Sequence, residues 1–169
     1  MIRSYVSGIL FLFFFVLVES AMLANISFLP AFPDFVMIFV LYFSIRNGKV
    51  AGETTGFVGG LMLDLLSGAP FGLSCVVRTI IGYAGGLLHN LMNYQSFFVS
   101  MVAGFCATLA KAVLIYGISL LFPMHVNHYH IFSSVFALEL ALNTIFTPIV
   151  FKLLRWFDSF IVAPDRRLP

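Results

Sequence analysis

Six ionisable side chains stand in stretches of this sequence that are otherwise mostly apolar: Glu19, Asp34, Asp64, Arg78, Lys111 and Glu139. An ionisable group at hydrocarbon depth costs about 2.5–3.5 kcal/mol on the insertion scale, so it normally faces a protein interior or water. Three kinds of work are open to four acids and two bases at similar depth. They can hold helices in register, line an outward-facing pocket or proton path, or meet the membrane helix of a partner. Asp64 and Arg78 belong to neighbouring antiparallel segments joined by a short turn, and Lys111 and Glu139 to the next hairpin, so both pairs are feasible. Catalysis is not expected. Intramembrane hydrolysis needs paired aspartates, a Ser–His arrangement or a metal, whereas these acids are separated and balanced by bases, and His89 has no nucleophile at a recognisable spacing.

Other candidate chemistry is thin. His125, His128 and His130 crowd one loop, a density at which zinc binding is conceivable. No carboxylate or thiol accompanies them, and no metal or cofactor is expected. Cys75 and Cys106 sit in apolar runs and read as small buried hydrophobes rather than a disulfide framework. There is no GxxxxGK[ST] loop, and a net charge of +2 gives no reason to expect a nucleic-acid partner.

The elements that must position the charged residues follow from composition. The 169 residues are 61% hydrophobic and 9% charged, against about 45–50% and about 25% in soluble domains. Too few polar side chains remain to cover a water-facing surface, which excludes a soluble globular enzyme and an intrinsically disordered chain. The composition predicts an all-α integral membrane protein, a single polytopic domain over residues 1–169. A crossing needs roughly 20 mainly apolar residues. Turn-like clusters cut the chain into about six spans with short loops: Tyr5–Leu23, Phe35–Ile45 with its flank Phe28–Asp34, Val50–Leu66, Phe71–Leu88, Phe97–Phe122 and Ile131–Leu154. The second and third are short and interrupted. The stretch Ser4–Val18 could pass alone for a signal peptide, but the segments that follow favour a retained first helix.

Orientation follows from lysine and arginine, which cytoplasmic loops retain. With the N-terminus inside, the cytoplasmic segments hold Arg3, Arg46, Lys49, Lys152, Arg155, Arg166 and Arg167, and the outer loops hold none. Both termini are then expected in the cytoplasm, with the six ionisable residues in the outer half or at the outer boundary.

A further pattern runs through the third span. Gly48, Gly52, Gly56 and Gly60 recur every fourth residue, and Asp64 and Gly68 continue the row. Such a row forms a groove into which another helix can press closely. The candidate packing groove is Gly52, Gly56, Gly60, Asp64 and Gly68, with a crossing inside the chain favoured over one to a partner. Gly82, Gly85 and Gly86 offer span four a similar smooth stripe.

Pro33-Asp34 opens an apolar span, Gly52 follows, then the run from Gly56 through Gly60 and Asp64 to Leu66, and then Pro70-Phe71-Gly72-Leu73. In these residues the stretch from Pro33 to Leu73 resembles the MreD family of bacterial rod-shape-determining membrane proteins. Asn143 and Pro148 before a basic C-terminus agree with it. The resemblance implies a non-enzymatic subunit of the cell-elongation machinery in the bacterial inner membrane. Its implied partners are MreC, through a membrane helix, the MreB filaments, and the wall-synthesising pair of RodA and a class B penicillin-binding protein. The family has no settled catalytic residues to carry over.

Two functions therefore compete. One is a membrane scaffold that binds MreC through the glycine groove and helps organise peptidoglycan synthesis, its basic termini touching anionic lipid. The other is a solute-binding component, since six short-looped helices with polar groups toward the outside resemble the substrate-binding subunits of energy-coupling-factor transporters. In that case Glu19, Asp64, Arg78, Lys111 and Glu139 would face a ligand cavity.

Overall fold

A computed structural model of the chain describes residues 2–25, 30–67, 70–89, 96–122 and 133–162. These residues form seven helices and no strand: α1 (Ile2–Asn25), α2 (Phe35–Asn47), α3 (Lys49–Ser67), α4 (Leu73–Leu87), α5 (Phe97–Leu121), α6 (Ser134–Arg155) and α7 (Asp158–Ile161). The loop with His125, His128 and His130, and Gly68 at the end of the glycine row, lie outside the described residues.

The shortest of the first six helices is the centre of the molecule. Every residue of α2 from Val36 to Ile45 is buried, because α1, α3, α4 and α6 pack around it. Its sequence is apolar on all faces, as a fully enclosed helix requires. Phe39 stacks against Phe43 at 5.9 Å and lies 5.4 Å from Phe15 of α1, and Tyr42 meets Phe151 of α6 edge-on at 5.0 Å. At 1.5 Å per residue, its 13 residues reach only about 20 Å, short of the roughly 30 Å hydrocarbon core. The non-helical approach is itself protein-covered, with Ala31, Pro33 and Asp34 buried, which is the condition under which irregular backbone is tolerated at membrane depth.

The outer surface is apolar. Along α5, Val102, Phe105, Leu109, Val113, Tyr116 and Leu120 form one exposed stripe. The 25-residue α5 and the 22-residue α6 are long and apolar enough to cross a membrane. Cys106 is exposed in α5, contrary to the expectation that both cysteines are buried; only Cys75 is. Periodicity alone does not say which side of an evenly apolar helix meets the bundle.

The glycines set the tightest contact, between α3 and α4. A Cβ added at Gly52 would overlap the Gly82 carbonyl oxygen, one at Gly56 the Arg78 carbonyl oxygen, and one at Gly60 the Cys75 backbone. Gly86 closes the row against Lys49. The two backbones thus run antiparallel in near contact, and α4 fills the groove of α3 within the same chain.

Candidate functional site

The charged residues gather where α2 begins. A helix starts with backbone N–H groups that have no partner within it, and here that start is buried. Asp34 is the N-cap, its Oδ1 accepting from Met37 N at 2.8 Å. Glu19, reaching from α1, accepts from Val36 N through Oε2 at 2.9 Å. Phe35 N donates to the Pro33 carbonyl at 3.1 Å. The Asp34 N–H itself donates to Asn143 Oδ1 of α6 at 2.7 Å. Two carboxylates at a helix N-terminus also lie where the positive end of its dipole favours them.

The same two carboxylates gather the cations. Arg78 Nη2 donates to Glu19 Oε1 at 3.0 Å and to Asp34 Oδ1 at 2.8 Å. Lys111 Nζ donates to Asp34 Oδ2 and to Glu139 Oε1, both at 2.7 Å. Glu19, Arg78, Asp34, Lys111 and Glu139 therefore form one continuous chain of ion pairs joining α1, α4, the α2 cap, α5 and α6. Asp34 is its hub, taking both cations. These five residues line a partly open cavity of about 580 Å³ together with Leu63, Leu73, Val77, Ile115 and Val135. Its geometry suits holding charge in place: each cation is clamped between two carboxylates.

Asp64 is placed elsewhere. Expected to pair with Arg78, it instead caps α4: Oδ2 accepts from Gly72 N at 2.9 Å and Cys75 N at 3.2 Å, and Oδ1 from Ser74 N at 3.1 Å. Gly72 makes this turn possible, holding φ at +94° where a side chain would be strained. Arg78 keeps its backbone against Gly56 of α3 while its guanidinium reaches Glu19 and Asp34.

Two contributors were not expected at these helix ends: Asn143, noted only for its agreement with the family pattern, and Asp158. Asn143 is fully buried, and its Oδ1 supplies the acceptor for the Asp34 N–H; a lone amide in an apolar helix was the available signal. At the other end of α2, Asp158 of α7 accepts from the Tyr42 hydroxyl and from Arg46 Nη2, the latter at 3.0 Å. Asn47 Nδ2 donates to the Ile161 carbonyl at 3.3 Å. His89 Nδ1 lies 2.7 Å from the Ile45 carbonyl oxygen. Asp158 follows a run that ends in charged residues, and nothing local in the sequence marks it as a helix-docking group.

A family model described as rod shape-determining protein MreD matches residues 1–157. The chain belongs to the MreD family. That membership connects it to rod-shape determination and to the cell-shape machinery in general, in a membrane protein family that is structural and not known as an enzyme. The MreD match covers the whole ion-pair chain and the α3–α4 glycine contact, and stops one residue before Asp158, so the α7 contacts lie outside it. No solved structure matches this MreD-family chain.

Proposed function

We propose that this chain is a non-enzymatic, multi-pass subunit of the rod elongation machinery in the bacterial inner membrane, with both termini in the cytoplasm. It binds the membrane helix of MreC and thereby helps organise peptidoglycan synthesis by the RodA and class B penicillin-binding protein pair near MreB filaments. In this reading the ion-pair chain is architectural. It locks the start of a helix too short to cross alone, so that α1, α4, α5 and α6 present fixed surfaces to a partner.

The observation that carries this reading is the family match over residues 1–157. The geometry agrees with it, because Arg78 and Lys111, which line the cavity, are each clamped between two of the chain's own carboxylates. Orientation is supported by Arg46, Lys152 and Arg155, which sit at helix ends remote from the ion-pair chain. The mode of docking differs from the one first expected. Gly52, Gly56 and Gly60 are covered by α4, so MreC engages another surface. Nothing favours the transporter reading.

The test is depletion in the native rod-shaped host, followed by complementation and by recovery of MreC from its membranes. Rounding of depleted cells, restored by the wild-type chain, together with MreC recovery, is the expected result. Rods that persist after depletion, with loss of uptake of one nutrient, would overturn it.

A further inference from the structure

We propose that the cavity at the start of α2 receives a cationic side chain, an ammonium or guanidinium, carried on a membrane-embedded segment of the partner protein. This rests on the reading that the chain docks a partner's membrane helix, and it names the contact that docking makes.

The first support is charge. Three carboxylates, Glu19, Asp34 and Glu139, line the cavity with the two cations Arg78 and Lys111, and Asp64 caps the adjacent start of α4. Of the residues that line the cavity itself, three are carboxylates and two are cations, so acids outnumber bases by one. The described non-helical segments beside it, 30–34 and 70–72, contain no lysine or arginine.

The second support is shape. A partly open volume of about 580 Å³ is lined by aliphatic side chains, Leu63, Leu73, Val77, Ile115 and Val135, and by the charged groups Glu19, Asp34, Glu139, Arg78 and Lys111. A long aliphatic stem ending in a charge matches that mixed lining, as lysine and arginine do when they bury the stem and place the head among polar groups. A hydrated metal ion would find no ligands on the aliphatic part of that lining. An aminophospholipid would bring its phosphate, a further negative charge, beside the carboxylates.

The experiment uses the full chain co-expressed with MreC in native membranes, solubilised in mild detergent and recovered through a tag on this chain. Two variants probe the cavity: Glu139→Gln removes one of its charges, and Val135→Trp fills its mouth at a position outside the ion pairs. Each is expected to lower MreC recovery about ten-fold or more, as loss of a buried charge contact does. Replacing the lysines and arginines in and beside the MreC membrane helix by glutamine, one at a time, should reveal one position with the same loss. Glutamate at that position should regain recovery when combined with Glu139→Lys. Should Glu139→Gln fail to elute as a folded species, Val135→Trp decides. Wild-type recovery of MreC by both folded variants overturns the cavity proposal while leaving docking intact, and so does a stoichiometric aminophospholipid that Val135→Trp expels. Failure of the wild-type chain to recover MreC overturns the docking reading itself.

Discussion

Asp34 and Arg78 meet at 2.8 Å with side chains only 3% and 5% exposed, although 44 residues separate them. The contact fastens the N-cap of the central helix to α4. It persists at this depth because Asp34 also accepts from Met37 N and from Lys111, so that both carboxylate oxygens are engaged. Replacing a buried ion pair by apolar residues can be harmless, whereas removing one partner leaves a charge stranded. That asymmetry governs the expected behaviour of variants.

Asp34→Asn should be the most damaging single change in the ion-pair chain. It leaves Arg78 and Lys111 with one carboxylate each and weakens the α2 cap, a loss of about 3–5 kcal/mol by analogy with broken buried pairs. Thermal unfolding in detergent, followed by monodisperse elution, measures it. Cys106→Ala, at an exposed position, is the reference and should stay near wild type. Equal midpoints for the two variants would refute the hub role of Asp34.

Arg78 should couple to Glu19 and not to Asp64. In a double-mutant cycle, Arg78→Met with Glu19→Gln should be milder than the sum of the single changes by about 1–3 kcal/mol, as for residues in one network. The cycle of Arg78→Met with Asp64→Asn should show much weaker coupling, because Asp64 is bonded to the α4 backbone. Stronger coupling to Asp64 would contradict the observed pairing.

The α3–α4 contact predicts opposite outcomes for two glycine substitutions. Gly56→Ala drives a Cβ into the Arg78 carbonyl and should destabilise by about 1–3 kcal/mol, as overpacking does. Gly117→Ala meets nothing within 4 Å and should be neutral or gain up to about 1 kcal/mol from helix propensity. The ranking of unfolding temperatures checks this, and an equal response at both sites would exclude the close crossing.

The α7 contacts should behave as a local latch. Asp158→Asn removes the charge that binds Arg46 at a partly exposed position, so its global effect should stay within about 1 kcal/mol. Hydrogen exchange of residues 158–162 should nevertheless accelerate. Unchanged protection there would show that Ile161, which is fully buried, holds the segment without Asp158.

The division between what was legible and what was not follows from range. Composition determined the class of protein, since a chain with this few charges has no polar coat for water. The i+4 glycine row announced a close helix crossing, because absence of Cβ every fourth residue is a local property. Six of the charged residues stood out for the same reason, each being costly at its depth unless satisfied. The tertiary structure alone decided who satisfies whom. Asp64 was expected beside Arg78, yet three backbone N–H groups at the start of α4 bind it instead. Glu19 and Asp34 took Arg78 because the short α2 begins inside the bundle and needs acceptors there. Tyr42, Asp158 and Asn143 entered through contacts spanning more than a hundred residues, and no periodicity along a chain encodes which distant partner will arrive at a buried helix end.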